Sequence, residues 1–302
     1  MRDKQNERRK NDKFKFKGYF LGGGGDEKSL FEKADLSPSF PKPSKKLLKP
    51  SLTKLKAPFA WVGGKSFLAR QIIALMPAHE RYVEVFGGAL SVLYQKSKSK
   101  QEIINDINDE LINLHKVIQT KPLSLMNALQ NLLISRKLFE WIKNKQLSPR
   151  NDIEKAAFYY YLIAFSFASK GLHFSHTKVR ASAIYKDFKP FSKRLKGVFI
   201  ENKSFEYILK NYDDENTLFY LDPPYVNTEK YYQNTSVFGE HELLAELLKG
   251  VRGKFMLSYN DNELIRELYK GFFIKELELR YTLNNKNKGK MSKELLIMNF
   301  KP

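Results

Sequence analysis

From Ala57 onward the sequence predicts an α/β fold: a mostly parallel, doubly wound sheet split by a mainly helical insert. Two observations carry that reading. Short apolar runs alternate with helically spaced segments at both ends of this stretch, the pattern of strands joined by crossover helices. Between about residues 115 and 212 the alternation lapses, and the chain turns helix-like and aromatic. The expected organisation is a basic, flexible arm over 1–56, an α/β domain over 57–114 and 213–302, and an insert over 115–212.

The elements follow in chain order. "KSFLARQIIALMP" has helical spacing and stops at Pro77, where a missing N–H ends the helical ladder. "RYVEVF" reads as a buried strand, and "GGALSVLYQK" as a turn running into a helix. "QEIIND" is a second strand and "INDELINLHKVIQ" the helix after it, with Asp109 placed to cap it. In the insert, "AAFYYYLIAFSFA" at 156–168 is the most apolar stretch. It falls short of the roughly 20 residues that cross a bilayer, so it reads as a buried helix. "KGLHFSHTKVRAS" is polar and carries no strand pattern. Alternation then resumes with "NTLFYLDPPY", "GEHELLAELLKG", "KFMLSYN", "DNELIRELYKG", "FIKELELRY" and "ELLIMNF".

Composition narrows the function. Across 302 residues, 53 Lys/Arg face 33 Asp/Glu, a formal charge of +20 that suits a polyanionic partner such as nucleic acid. The segment 1–56 alone holds 16 Lys/Arg against 7 Asp/Glu, with Gly22–Gly25 and Pro38, Pro41, Pro43 and Pro50. It reads either as an arm that extends phosphate contact or as a solvated tail. The absence of cysteine removes disulfides, thiolate metal sites and cysteine nucleophiles, and fits a reducing cytoplasm.

Three motifs remain once "WVGGKS" at 61–66 is set aside as a phosphate loop; position 59, where that loop needs its first glycine, holds Phe59. "VEVFGGALS" runs a strand into a glycine turn and a helix, the crevice where doubly wound sheets bind ligands. "IINDIND" then places Asp106 at the end of the next strand, 18 residues after Gly88, near the spacing at which an acid holds a ribose hydroxyl. "YLDPPYV" at 220–226 puts a carboxylate, a stiff corner and a ring at the end of a central strand. Asp222 and a backbone carbonyl fixed by Pro223 and Pro224 would accept the two hydrogens of a planar amine. Tyr225 would offer that amine's ring a stacking face.

Together these motifs resemble the Dam-like (D12 class) DNA adenine-N6 methyltransferases, in the order of their alpha group, over residues 57–302. The resemblance implies a Rossmann-like, S-adenosylmethionine-dependent fold whose insert recognises the DNA target. It implies that Trp61, Lys65, Phe86, Gly88, Asp106 and Asp222 bind the cofactor, and that Asp222, Pro223, Pro224 and Tyr225 are catalytic. Ser258 and Asn260 match a strand end on the same cleft. Lys170, Lys178 and Arg180 of the insert become candidate DNA contacts, double-stranded DNA the partner, and a cognate restriction endonuclease a companion. No metal is implied. The pattern departs at Val85, where the family carries proline, and at Leu90, where it carries glycine. The insert "FSFASKGLHFSHTKVR" lacks the Asn- and Tyr-rich segment of members that read GATC, so no recognition site follows.

Other readings stay open on the residues alone. Cytosine-N4 methylation uses a similar tetrapeptide, and a DNA-binding protein could keep the fold without turnover. Methylation of RNA or of a protein glutamine would more typically show Asn in place of Asp222.

Overall fold

The computed structural model describes residues 49–175, 181–226, 240–280 and 291–302. Lys178 and Arg180, and the arm through residue 48, lie outside the described residues.

Seven strands form one sheet in the order β3-β2-β1-β4-β5-β7-β6. They are β1 (Arg81–Glu84), β2 (Gln101–Asn105), β3 (Phe199–Glu201), β4 (Thr217–Leu221), β5 (Lys254–Asn260), β6 (Phe273–Arg280) and β7 (Met291–Met298). The first five in that spatial order run parallel, with Val83 beside both Ile103 and Phe219. β7 runs antiparallel between β5 and β6, pairing Asn260 with Glu294. The helices are α1 (Ala69–Leu75), α2 (Ser91–Gln95), α3 (Asp109–Thr120), α4 (Pro122–Gln130), α5 (Arg136–Lys143) and α6 (Asp152–Phe165). They continue as α7 (Lys189–Leu195), α8 (Phe205–Tyr212), α9 (Glu240–Lys249) and α10 (Glu263–Leu268).

The strands are apolar on both faces because helices cover both. Along β4 all five residues are buried, and the pleat sends them alternately to opposite sides. Leu218 and Tyr220 join the core under α1, α2, α3 and α6. Phe219 and Leu221 join the core under α8, α9 and α10. Truncating Phe219 to Ala would cost about 3–5 kcal/mol, the usual effect of emptying a packed aromatic site.

α6 explains the long apolar run. Asn151 caps it by accepting from the N–H groups of Ile153 and Glu154. Ala156, Ala157 and Tyr160 then face the sheet's core, while Phe158, Tyr161 and Phe165 face a small separate core with Phe139 and Ile142 of α5. With partners on opposite faces, no side of the helix needs to be polar. No helix among the described residues is long and apolar enough to cross a membrane.

Three expectations need correction. β3 and α8 lie inside the span 115–212 expected as insert, yet β3 pairs with β2 in the main sheet. A strand of three residues gives too short an alternation to read. Residues 51–53 do not belong to a free arm, because the Thr53 N–H donates to the Gln95 carbonyl at 2.7 Å and the Ser97 N–H to the Ser51 carbonyl at 2.7 Å. Asn108, not Asp109, caps α3 by accepting from the Leu111 N–H at 3.0 Å; Asp109 occupies the first turn and pairs with Lys155 at 2.5 Å.

Candidate active site

The carboxyl ends of β1, β2 and β4 open on a cavity of about 510 Å³, the position where open α/β sheets take ligands. Trp61, Lys65, Phe86, Gly88, Asp106 and Asp222 all line it, with Pro224 and Lys170. Pro223 and Tyr225 do not. Pro223 borders a small hollow behind the wall, and Tyr225 packs its ring on Tyr259 at 5.8 Å. The ring therefore has Tyr259 beside it and the Lys65 ammonium 4.8 Å from its centre.

The turn after β1 is built around backbone contacts that leave no room for side chains. Gly88 has φ +50, and a Cβ there would stand 2.8 Å from the Trp61 indole. Its N–H donates to Asp106 Oδ2 at 2.9 Å, and its carbonyl meets His115 Nε2 at 2.8 Å. His115 is buried and its pKa is pushed down to about 4, chiefly by that burial, so the ring is neutral and donates from Nε2. Leu90 adopts φ 58, the left-handed geometry that glycine takes without strain. Complete burial of its side chain offsets that strain.

Asp106 spends its carboxylate on the backbone. Oδ1 accepts from the Asn108 N–H at 2.9 Å while Oδ2 holds Gly88. Burial raises its pKa, and these N–H groups oppose the shift. It stands on the cavity wall as a brace of the turn, with lone pairs left on each oxygen.

The corner after β4 is more highly charged. Lys65 Nζ donates to Asp222 Oδ1 at 2.5 Å and to the Gly63 carbonyl at 2.8 Å. The same ammonium lies 3.5 Å from Glu294 Oε1 and 4.8 Å from the centre of the Tyr225 ring. Side chains here are 4% exposed at Lys65, 18% at Asp222 and 8% at Glu294. Burial raises the pKa of both carboxyls, and the Lys65 charge pulls each back toward the ionised form. Glu84, at the end of β1, also lines the cavity. Its Oε2 accepts from the Tyr82 hydroxyl at 2.9 Å and the Leu93 N–H at 3.1 Å, yet burial pushes its pKa up to about 8.

Sequence reasoning missed Glu84, Glu294, His115 and the start of α8. There Phe205 faces Phe86 across 5.8 Å, and Glu206 lines the cavity with a buried Oε2 that has no hydrogen-bond partner. Ser258 and Asn260 do not line the cavity. Ser258 bonds the Tyr220 hydroxyl at 3.1 Å, and the Asn260 side-chain oxygen is buried without a partner.

A parallel sheet with one reversed strand beside its edge, and a cavity over the first, second and fourth strands, defines a Rossmann-like methyltransferase. Residues 61–283 match the model of the D12 class N6 adenine-specific DNA methyltransferases. The chain belongs to that family. It is 29% identical to the type II methyltransferase M.MjaIII of Methanocaldococcus jannaschii, over 80% of this chain and 97% of that one. It is 25% identical to the type II methyltransferase M.CviBI of Paramecium bursaria Chlorella virus NC1A, over 73% and 89%. Identity to the DNA adenine methylase of Escherichia coli K12 is 22%, over 83% and 97%. This protein is an adenine-specific DNA methyltransferase.

Proposed function

We propose that Asp222 and the rigid corner Pro223–Pro224 carry this activity on an adenine turned out of double-stranded DNA, with S-adenosylmethionine as donor. The supporting observation is the placement of Asp222: its carboxylate ends a central strand on the cavity wall, against a buried ammonium.

The cavity suits the donor. The Gly87–Gly88 turn, with the Trp61 ring packed on it, would wall one side of the bound donor. Phe86 and Phe205 give a flat apolar wall, and the partnerless oxygen of Glu206 can accept from a hydroxyl or ammonium. When bound, S-adenosylmethionine supplies a methyl group on a sulfonium, activated for transfer by its positive charge. The protein's share is binding and alignment. Turning the adenine out costs a few kcal/mol. Asp222 accepts one N6 hydrogen and the corner carbonyl accepts the other, which holds the nitrogen lone pair toward the methyl carbon. Asp222 would hold the methylated amine while the donor leaves as a neutral thioether and N6 sheds its extra proton to water. Glu84, protonated at neutral pH, adds no second charge beside Asp222.

The helices from α4 to α6 carry Lys143 and Lys155 onto the cavity wall, and Lys145 and Lys170 join them from the adjoining loops. They would contact phosphates and help the segment read the target. The working place is the cytoplasm, and a restriction endonuclease of matching specificity is the expected companion. Sequencing with modified-base detection, on DNA from cells making this protein, tests the reading. N6-methyladenine at one repeated motif supports it, and N4-methylcytosine or unmodified DNA overturns it.

A further inference from the structure

Resting on that reading, we propose that Glu294 is a positioning residue: it takes over the Lys65 ammonium when the adenine amine claims Asp222. Three observations converge. Asp222 Oδ1 is held by Lys65 at 2.5 Å, so the carboxylate already shares one oxygen with an ammonium before any substrate arrives. An amine hydrogen-bonding there must compete with a full positive charge. Lys65 is 4% exposed, and water cannot easily take it over. Any release from Asp222 therefore needs another buried acceptor.

Glu294 supplies one. Its Oε1 is buried, has no hydrogen-bond partner, and lies 3.5 Å from Nζ, just beyond a good hydrogen bond. The ammonium has three donors; the Gly63 carbonyl holds one at 2.8 Å and can act as a pivot. A shift of well under 1 Å about that pivot brings Nζ within hydrogen-bond reach of Glu294. β7 fixes Glu294 in place, since its backbone is paired opposite Asn260. A second buried carboxylate beside one ammonium is costly for a purely structural site. It is useful where the cation must have two resting positions.

The test is a double-mutant cycle with Glu294→Gln and Lys65→Met, read as single-turnover methylation of a duplex carrying the motif found by sequencing. Glu294→Gln should slow methyl transfer about 10- to 100-fold, as loss of an outer partner does, with affinity for S-adenosylmethionine and KM for DNA within about threefold. In the Lys65→Met background it should add less than about twofold, because Glu294 acts through Lys65. Losses that multiply in the double variant, or that track a fall in melting temperature, overturn the proposal. If Glu294→Gln does not fold, a structure of the unmodified protein with its duplex decides. Lys65 Nζ bonded to Glu294 and released from Asp222 supports the exchange, and Nζ still on Asp222 refutes it whatever its distance from Glu294. Unmodified protein that leaves adenine unmethylated would instead sink the functional reading.

Discussion

The sheet carries a buried lysine at each end, and the two are treated in opposite ways. At the amino end, Lys96 is fully buried and donates to Glu102 at 2.6 Å, Ser99 at 2.9 Å and the Ser97 carbonyl at 3.0 Å. Glu102 also accepts from Arg194, at 2.5 and 2.9 Å. Burial opposes its charge, but Arg194 and Lys96 together hold it below the ordinary carboxylate range. Every donor of Lys96 is used. At the carboxyl end, one ammonium serves two carboxyls, both raised by burial, and one oxygen of Glu294 stays without a hydrogen bond. Although Arg194 Nε is left without a hydrogen bond, the Lys96 ammonium has no donor to spare and its pair with Glu102 holds the fold. An ammonium shared by two carboxyls on a cavity wall has a second partner within reach, as the proposed exchange requires.

The contrast can be broken at either end. Glu102→Ala strands Lys96 and Arg194, and should cost about 3–5 kcal/mol; chemical denaturation reads the loss, and activity per folded molecule should not change. Asp222→Ala should do the reverse. Methyl transfer falls by roughly 10²–10³-fold, while stability drops less than for Glu102→Ala because Lys65 retains Glu294. Melting curves beside a methyl-transfer assay separate the two. Equal stability losses would show that both ends are structural.

Glu84 sharpens the comparison because both clusters act on it: Lys96 lowers its pKa and Asp222 raises it. Burial dominates and lifts it from 4.5 to about 8, so the folded chain keeps a proton there that the unfolded chain loses above 4.5. The resulting stability is present in full at low pH and fades as pH rises toward 8. Glu84→Gln should remove that slope between pH 5 and 8, as measured by denaturant midpoints across the range. The smallest effect lies in the segment that leads into the domain. Extending an N-terminal deletion from residue 48 to residue 56 removes the Ser51 and Thr53 backbone bonds. Each such bond is worth roughly 0.5–1.5 kcal/mol, and melting falls by about 2–4 °C per kcal/mol lost.

What the sequence made legible was local. The Gly87–Gly88 turn and the Asp222 corner are contiguous, and each states its chemistry within a few residues. The strands β1, β4 and β5 were readable because burial on both faces makes them continuously apolar. Glu294 was hidden, since "SKELLIMNF" shows only a charged residue at the start of a strand. Its partner depends on the reversed register against β5. His115 looked like one polar residue on a helix, because nothing nearby in sequence marks its bond to Gly88. The way the Tyr225 ring turns was not legible either, because a motif gives residue order and not side-chain direction.

Lys65, Asp222 and Glu294 come from the first quarter, the last third and the last tenth of the chain. A chain being made on the ribosome therefore gains its second carboxylate only once β7 is in place. Until then, the inner edge of β5 lacks the neighbour that covers it. No contiguous fragment ending at β6 can hold all three groups, so clipping between β6 and β7 would disarm the enzyme only if the last strand were released.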